Sequence, residues 1–358
     1  MPALFFASMA RLVTLLLLPL SWLYAGIMGV RNWLYDAGLL TAARFPVPLI
    51  SVGNLRVGGT GKTPHVAWVV RQLLQLEAEP AILSRGYGRR TRGYRLVQPT
   101  DTAITVGDEP LQHFQDFSGT VPVAVSEDRR VGLLHLLTNQ QPSVIVLDDA
   151  YQHRRVQPAL SILLTEHQRP FYTDEVLPAG RLRENRAGAS RADVVVVTKC
   201  PEQLPPSEQQ AMQQQIGRYT RAGVPVLFSG YSYGAPVAVG QQPTPASAEV
   251  ILLTGIAQPE PLRTYLTSAG YQVAHHAVFA DHHAFTPAEI KAVCAQLRPG
   301  QSIFTTQKDA MRLAQPALRQ VLAGVPVFYI PIEVRFLADG ASRLRAFLVS
   351  SFQPQAVV

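Results

Sequence analysis

The sequence predicts an α/β fold: a mostly parallel sheet with helices on both faces. Short, continuous apolar runs at residues 143–147, 160–164 and 194–197 alternate with stretches of helical character. Such runs are typical of strands that are buried on both sides in a parallel sheet. In addition, a glycine-rich segment at residues 52–64 lies between an apolar strand and a helix, which is the context that a phosphate-binding loop requires.

The glycine-rich segment reads VGNLRVGGTGKTP. Glycines let backbone N–H groups turn toward a polyphosphate, and the next helix points its positive end at the same place. The usual pattern, G-x-x-x-x-G-K-[ST], would place a glycine at Arg56, so only the second half matches, and a Gly-rich turn with a surface lysine is the alternative. We expect a P-loop NTPase-like domain whose nucleotide-binding residues are Gly58, Gly59, Thr60, Gly61, Lys62 and Thr63.

Composition narrows the class of protein. With 358 residues the chain has room for one large or two ordinary domains. Its net charge of +7 suggests an anionic partner, for which nucleic acid, a phospholipid surface and a phosphorylated substrate all qualify. The two cysteines, Cys200 and Cys294, are far apart, which argues against a disulfide scaffold or a cysteine-based metal site and fits a reducing compartment.

The N-terminus is strongly apolar. Residues 12–30 carry no charge and lie between Arg11 and Arg31, close to the roughly 20 residues that span a bilayer. A signal peptide would carry the chain away from nucleotide, and Pro19 interrupts a true span. A helix buried in the core of the protein is a further alternative. We favour a helix, broken or unbroken at Pro19, that inserts part-way into a membrane.

On this interpretation, aromatic and basic side chains of the segment meet the lipid headgroups. They are Trp22, Tyr24, Trp33 and Tyr35, with Arg31 and Arg44 on anionic lipid.

Two pairs of adjacent carboxylates are candidates for chemistry. Asp108 and Glu109 open a predicted helix, where they either cap it or serve as a base for a hydroxyl nucleophile and a metal carboxylate. Asp148 and Asp149 end the apolar run 143–147, the place where many phosphate-loop enzymes position Mg²⁺.

Two cationic segments leave alternatives open. Residues 85–94 interleave arginine, tyrosine and glycine. This composition is typical of a mobile cationic loop, which could clamp phosphate or rest on lipid headgroups, and a solvated hairpin is the alternative. Residues 177–186 hold Arg181, Arg183 and Arg186, which could neutralise charge on a transferred phosphoryl group or lie in a solvated turn.

A second unit follows residues 234–248, a predicted linker or surface loop. Its Asp281-His282-His283 lacks further ligands at zinc-like spacing. An aspartate beside a histidine is also a common pair in which the carboxylate sets the tautomer and the basicity of the imidazole. Histidines without a functional role, in the core or on the surface, are the alternative. Residues 306–309 either contact a nucleotide base or cap a helix.

Several segments together resemble one family. They are SVGN at 51–54 with VGGTGKTP at 57–64, SRGYG at 84–88, VGDEP at 106–110, LDD at 147–149 with QH at 152–153, PAG at 178–180 with LRE at 182–184, FADH at 279–282 and TQKD at 306–309. In this order they look like the tetraacyldisaccharide 4′-kinase family, the lipid A kinases of Gram-negative bacteria. The resemblance runs from the N-terminal apolar helix to about residue 340.

The resemblance implies transfer of the ATP γ-phosphate, with Mg²⁺, to the 4′-hydroxyl of a tetraacyl disaccharide 1-phosphate, a precursor of lipid A. It places the protein on the cytoplasmic face of the inner membrane, peripheral or monotopic, with phospholipid and the lipid precursor as partners and neither nucleic acid nor an obligate protein partner. The expected parts are a membrane-associated helix (1–35), a P-loop kinase domain (36–240) and a smaller C-terminal α/β domain (241–358) that closes over the active site.

The resemblance also assigns roles to single residues. Asp108 matches the catalytic base and His282 its partner, which we expect to make it more basic; Lys62 matches the phosphate lysine and Arg183 an active-site arginine. The metal ligands fall on Thr63, Glu109, Asp148 and Asp149. The family often has proline where Asn185 stands.

Two other functions fit parts of the sequence. A nucleotide-switch ATPase or GTPase could use residues 58–63 to gate binding of a protein partner, although such a switch needs no Asp-His base for a substrate hydroxyl. A membrane-attached scaffold with a degenerate loop is the third.

Overall fold

The computed structural model describes the backbone of residues 2–239 and 247–352, and the side chains of those residues from Leu15 onward. The chain forms two compact units, each built from separate segments. The first comprises Met1–Arg85, Asp128–Tyr231 and Val334–Val358, and the second comprises Gly86–Glu127 and Ser232–Glu333.

Helices and strands follow one another throughout the part of the chain that the structure describes. The helices are α1 (Pro2–Asp36), α2 (Lys62–Gln75), α3 (Ala103–Val106), α4 (Asp108–Asp116), α5 (Arg129–Asn139), α6 (Pro206–Gly217), α7 (Glu260–Ser268), α8 (Pro287–Cys294), α9 (Gln307–Leu313), α10 (Pro316–Val321) and α11 (Gly340–Phe352). The strands are β1 (Leu49–Asn54), β2 (Pro80–Ser84), β3 (Arg95–Leu96), β4 (Val123–Val125), β5 (Val144–Asp148), β6 (Leu160–Glu166), β7 (Val194–Thr198), β8 (Val226–Tyr233), β9 (Val237–Ala238), β10 (Glu249–Thr254), β11 (Gln272–Val278), β12 (Ser302–Thr306), β13 (Val327–Ile330) and β14 (Ile332–Phe336).

A parallel sheet forms the centre of the first unit. Its strands run in the order β8-β7-β6-β1-β5-β2, and each neighbouring pair is parallel. Every residue of β1, β2, β5, β6 and β7 is buried, as expected when helices cover both faces. The strand order reverses around β1, and ligands of such sheets bind at the carboxyl ends of the strands at this point. Val52 of β1 pairs with Asp148 of β5, so the loop after β1 begins beside the aspartates that end β5.

Helix α1 is continuous through Pro19. Residues Leu15–Asp36 are long and apolar enough to cross a membrane, and only 6% of this window is buried. The alternative of a buried core helix is therefore wrong. Apolar side chains project from the first unit along this stretch: Leu15, Leu16, Leu20, Trp22, Leu23, Ile27, Val30 and Trp33 are all more than half exposed.

The opposite side of α1 contacts the rest of the first unit. Ser21 is buried and its hydroxyl accepts a hydrogen bond from the Ala179 amide at 2.8 Å. Two residues expected at lipid headgroups instead bind protein carbonyls: the Tyr24 hydroxyl donates to Arg183 O (2.9 Å) and Arg31 Nη2 donates to Gln152 O (2.9 Å).

A smaller sheet forms the core of the second unit. Its order is β11-β10-β12-β13-β9, with β9 antiparallel and the other pairs parallel. Side chains of β10 alternate between two apolar clusters: Ile251 and Leu253 pack with Phe285, whereas Val250 and Leu252 pack with Phe304. Residues on one strand thus serve both faces of the sheet. Helices α4 and α9 contact each other beside this sheet.

The predicted α/β class is confirmed, but the units differ from the expected segments in two places. Residues 86–127 belong with the second unit, and residues 334–358 belong with the first. Leu344 and Leu348 of α11 are buried, and the Leu337 amide donates to Phe228 O of β8, which ties the C-terminal segment to the first unit. The expected boundary between residues 240 and 241, in the predicted linker 234–248, lies in 240–246, outside the described residues.

Candidate functional site

The phosphate loop joins β1 to α2. Gly61 caps α2 with a φ of 85°, a left-handed conformation that glycine adopts at little cost. A β-carbon on Gly61 would lie 1.9 Å from the Tyr231 hydroxyl oxygen, whereas a β-carbon on Gly58 or Gly59 would meet no described atom within 4 Å. The loop is therefore tightly backed at Gly61 and open at Gly58 and Gly59, which fits a bound polyphosphate.

Side chains from two strands hold Thr60 in this loop. Asn54 Nδ2 donates to Thr60 Oγ1 at 2.7 Å, and Thr198 Oγ1 donates to the Thr60 carbonyl at 2.9 Å. Arg56, at the position where the usual pattern has glycine, pairs with Asp174 at 2.5 Å. At the position where the usual pattern has glycine, this loop therefore has an arginine whose ion pair ties the start of the loop to a neighbouring segment.

Lys62 and Arg183 meet at Asp149. Lys62 Nζ lies 3.8 Å from Asp149 Oδ2, and Arg183 Nη1 donates to Asp149 Oδ1 at 2.8 Å. Burial alone would raise the pKa of the Asp149 carboxyl, but the charges of Lys62 and Arg183 outweigh it and lower the pKa. The structure thus brings together three of the residues that the sequence predicted for the site.

Asp148 has a different environment from Asp149. It is fully buried, and its Oδ2 accepts a hydrogen bond from Ser84 Oγ at 3.2 Å. Thr63, Asp148 and Asp149 offer the hydroxyl and carboxylate oxygens that Mg²⁺ prefers. Among the described residues no group of three or more His, Cys, Asp or Glu side chains is placed to hold a metal ion. Because Mg²⁺ at nucleotide sites needs only one or two carboxylates besides phosphate, these residues fit the ion.

A second cluster, in the second unit, surrounds Asp108. The carboxylate starts α4, and its Oδ2 accepts hydrogen bonds from Arg312 Nε (3.0 Å) and Arg312 Nη2. His282 Nδ1 lies 3.4 Å and Lys308 Nζ 3.9 Å from the same oxygen. The predicted pair of Asp108 and His282, which are 174 positions apart in the sequence, is therefore in contact.

The environment of Asp108 corrects one expectation. Burial would raise the pKa of this carboxyl, but the hydrogen bond with His282 and the charges of Lys308 and Arg312 hold the pKa well below its usual range. Donors and cations stabilise the ionised form, so His282 makes the carboxylate less basic rather than more basic.

His282 has polar neighbours at both ring nitrogens. Lys308 Nζ lies 3.1 Å from Nε2, and Arg312 Nη2 lies 3.4 Å from Nδ1, the nitrogen that also faces Asp108. The backbone of His282 has a φ of 59°, an uncommon value for a non-glycine residue. Its neighbour Asp281 is farther away, at 4.0 Å, and His283 binds Glu289 at 3.1 Å instead.

Residues 306–309 cap a helix, which was one of their two predicted roles. Thr306 is the N-cap of α9, and its Oγ1 accepts from the Asp309 amide at 3.1 Å. Asp309 is buried and accepts from Arg312 Nη1 at 2.7 Å. Lys308 also reaches Glu109 Oε1 at 3.3 Å.

Arg312 is a residue that the sequence analysis missed. It lies one helical turn after Lys308, a spacing that puts both cations on one side of α9. That spacing was the available signal.

Glu184 is a second missed residue. It is fully buried and accepts hydrogen bonds from Arg191 Nη2 (2.7 Å), Asn32 Nδ2 (2.7 Å) and Gln152 Nε2 (3.1 Å). It therefore links α1 to the loop that carries Arg183. Asn185, where the family often has proline, caps the following turn by accepting from the Ala187 amide at 3.0 Å.

The cationic loop at residues 85–94 is held by hydrogen bonds from Arg89, Arg90, Thr91 and Gly93. Arg89 Nη2 donates to Glu127 and to Gly93 O, both at 2.6 Å, and only 2% of its side chain is exposed. Tyr87 is 69% exposed and meets the His282 ring edge-on at 5.4 Å between centroids.

A cavity of about 740 Å³ lies in the first unit beside the end of α1. Its lining includes Tyr35, Asp36, Arg44, His153 and Arg154. Burial, followed by the charges of Arg129 and Arg85, lowers the pKa of His153 to about 4, so its ring is neutral at pH 7.

Comparisons with known proteins agree with this geometry. The model of the family "Tetraacyldisaccharide-1-P 4'-kinase" matches residues 13–353. A tetraacyldisaccharide 4'-kinase of Cytophaga hutchinsonii is 40% identical over 331 residues, covering 91% of this chain and 92% of that protein. One of Bacteroides thetaiotaomicron is 39% identical over 354 residues, covering 93% of this chain and 92% of that protein.

A solved structure is also similar. It is a crystal structure of LpxK from Aquifex aeolicus in complex with ATP, with a TM-score of 0.75 and 30% sequence identity, covering 95% of this chain and 99% of that chain. The match therefore covers nearly the whole chain. The chain belongs to the tetraacyldisaccharide-1-P 4'-kinase family.

Proposed function

We propose that this kinase transfers the terminal phosphoryl group of ATP to the 4′-hydroxyl of a tetraacyl disaccharide 1-phosphate, a lipid A precursor. The observation that carries the proposal is the phosphate loop after β1, whose Lys62 lies 3.8 Å from Asp149 at the end of the adjacent strand. Family membership supports the identity of the acceptor, and the ATP-bound relative supports ATP as donor.

Residues of the first unit bind the donor. The amides of Gly59, Gly61 and Lys62 would face the phosphates, and the Lys62 side chain would neutralise charge on the β/γ-phosphates. Arg183, held by Asp149, supplies a second cation for charge on the transferred group. Mg²⁺, when bound through Thr63, Asp148, Asp149 and Glu109, would neutralise phosphate charge.

Residues of the second unit act on the acceptor. As the bond between the γ-phosphorus and the bridging oxygen breaks, the 4′-oxygen bonds to phosphorus, its proton passes to Asp108, and ADP leaves. A carboxylate of low pKa is sufficient because the transition state of phosphoryl transfer is loose and the hydroxyl loses its proton late. His282 and Arg312 orient this carboxylate through Oδ2.

Catalysis requires Lys62 and Asp108 to act on the same pair of substrates, although they belong to different units. We therefore propose that the second unit closes over the first when both substrates are bound. Closure would exclude water and limit futile ATP hydrolysis.

The exposed apolar side of α1 supports a location at a membrane surface. We propose that α1 inserts part-way into the cytoplasmic face of the inner membrane, where the acylated acceptor lies. The cavity beside the end of α1 offers room for the polar head of such a lipid.

One experiment tests the proposal directly. Purified protein is incubated with labelled ATP and the tetraacyl disaccharide 1-phosphate in detergent, and the labelled products are separated. We expect labelled glycolipid from the wild type, and a loss of turnover of about 100-fold or more in Asp108→Asn with nearly unchanged ATP affinity.

Two outcomes would contradict the proposal. Label that appears only as free phosphate would refute the kinase reaction. Loss of ATP binding together with turnover in Asp108→Asn would refute the assignment of Asp108 as the base. The alternative of a nucleotide switch is not favoured, because the family match covers nearly the whole chain.

A further inference from the structure

His65 lies in α2, three residues after Lys62, and the sequence analysis gave it no role. Its side chain is buried, with a residue exposure of 2%. Both ring nitrogens have partners: Nδ1 lies 2.7 Å from the Gly61 carbonyl oxygen, and Nε2 lies 2.9 Å from Ser229 Oγ of β8. Tyr231 and Phe336 meet the ring edge-on, with centroids at 6.5 and 6.2 Å.

These partners fix the hydrogen on the ring. A carbonyl oxygen can only accept, so Nδ1 carries the hydrogen and donates it to Gly61. Nε2 is then an acceptor, and the Ser229 hydroxyl donates to it. Because both ends of the ring are engaged, the imidazole can neither flip nor rotate without losing hydrogen bonds.

The position of the Gly61 carbonyl decides where the next amide points. In a trans peptide the C=O and the following N–H are antiparallel. The Gly61 carbonyl also accepts the first backbone hydrogen bond of α2, from the His65 amide at 3.3 Å. The backbone and the ring of His65 together hold this carbonyl on the α2 side, and the Lys62 N–H points the opposite way. Thr198 has the same effect one residue earlier, because its hydrogen bond to the Thr60 carbonyl directs the Gly61 N–H.

The Gly61 and Lys62 amides belong to the segment that a phosphate-binding loop turns toward a polyphosphate. We propose that His65 is a positioning residue that presets this loop for the triphosphate of ATP, by holding the Gly61 carbonyl away from the nucleotide. The proposal rests on the proposed function in taking ATP as the ligand. It extends that function to a side chain that need not touch the nucleotide.

Glycine makes such a support necessary. Gly61 adopts its φ of 85° with little strain, but it adopts many other conformations equally well. Ordering the loop on binding would cost conformational entropy each time, and a preset loop avoids this cost. His65 and Tyr231 approach Gly61 from the same side, with the Tyr231 hydroxyl oxygen 1.9 Å from the place of a β-carbon.

Three substitutions separate positioning from packing. His65→Phe keeps a ring between Tyr231 and Phe336 but removes the donor. His65→Asn places an amide N–H near the former Nδ1, whereas His65→Gln places its amide near the former Nε2. For each variant, the dissociation constant of ATP is measured by titration calorimetry without acceptor, and the melting temperature is measured without nucleotide.

We expect His65→Phe to weaken ATP binding roughly 5- to 10-fold, the worth of one hydrogen bond. His65→Asn should restore the affinity to within about 3-fold of the wild type, and His65→Gln should not. Ser229→Ala leaves the donor but frees the ring, so we expect a smaller loss of about 2-fold in a well-folded protein.

The proposal is overturned if His65→Phe binds ATP like the wild type, or if Asn is no better than Phe and affinity simply follows the melting temperature. A wild type that binds no ATP would refute the proposed function itself, which is a distinguishable result.

Discussion

At the scale of single residues, the charge on Asp108 depends on side chains from two other elements. Arg312 and Lys308 come from α9, and His282 comes from the loop after β11. All three approach Oδ2, whereas Oδ1 accepts from the Glu109 amide at 2.9 Å. The carboxylate therefore has a fixed orientation and a depressed pKa.

This environment predicts a pH dependence. Since the folded-state pKa of Asp108 lies below the unfolded value near 3.9, its contribution to stability is present above about pH 4 and is lost as pH falls further. In Arg312→Met the pKa of Asp108 should rise, so the acidic limb of the kcat profile should move to higher pH. Arg319→Met, on exposed α10, is the control. An unchanged acidic limb in Arg312→Met would contradict the role of Arg312.

Gly61 provides a second test at this scale. Gly61→Ala would force a β-carbon against Tyr231 and a left-handed conformation on alanine, so we expect a loss of roughly 1–3 kcal/mol in the free energy of unfolding. Gly59→Ala, where a β-carbon meets no described atom within 4 Å, should change stability by less than about 0.5 kcal/mol. Chemical denaturation without nucleotide measures both, and equal effects would show that the backing at Gly61 is unimportant.

At the scale of elements, α1 has one side that contacts protein and one side that is exposed. Ser21 and Asn32 bind the first unit, while Leu16 and Trp22 are exposed by 69% and 68%. Removing exposed apolar surface of this kind from water contributes about 25 cal/mol of favourable free energy per Å².

Charging that exposed side should therefore weaken membrane binding. The double variant Leu16→Glu, Trp22→Glu should sediment with anionic vesicles at least 10-fold less than the wild type, with an unchanged melting temperature. Leu134→Glu, at an exposed site on α5, is the matched control. Undiminished vesicle binding by the double variant would show that α1 is not the membrane contact.

Local patterns were enough to predict the elements on both sides of the proposed phosphate loop. Glycines and the preceding apolar run defined β1 and the start of α2, and the aspartates marked the end of β5, because strand, turn and cap preferences act over a few residues. The partners of Asp108 could not be predicted in this way. Arg312 is 204 residues from Asp108, and contact between them depends on how α4 and α9 pack. Burial of Glu184 likewise follows from the docking of α1, which no pattern around Glu184 indicates.

At the scale of the whole molecule, the residues that we propose to act on the donor and on the acceptor belong to different units. Lys62 and Asp149 belong to the first, and Asp108, His282 and Arg312 belong to the second. The predicted closure of the C-terminal domain remains the simplest way to combine them.

Hydrogen exchange followed by mass spectrometry can test this closure. A non-hydrolysable ATP analogue alone should protect the loop after β1 and the start of α2, where it binds. Protection of α4 and α9 should appear only when analogue and acceptor are both present, because both substrates are needed to close the units. Identical protection of α4 and α9 with and without acceptor would argue against closure.

The interleaving of the two units also bears on how the chain folds during synthesis. The first unit needs β14 and α11, and the second begins with residue 86 and ends at residue 333. The first unit can therefore not be completed before α11 has left the ribosome. In a nascent chain arrested at residue 333, the first unit would be incomplete although the second is nearly complete. We therefore expect such a chain to be a target for chaperones and proteases.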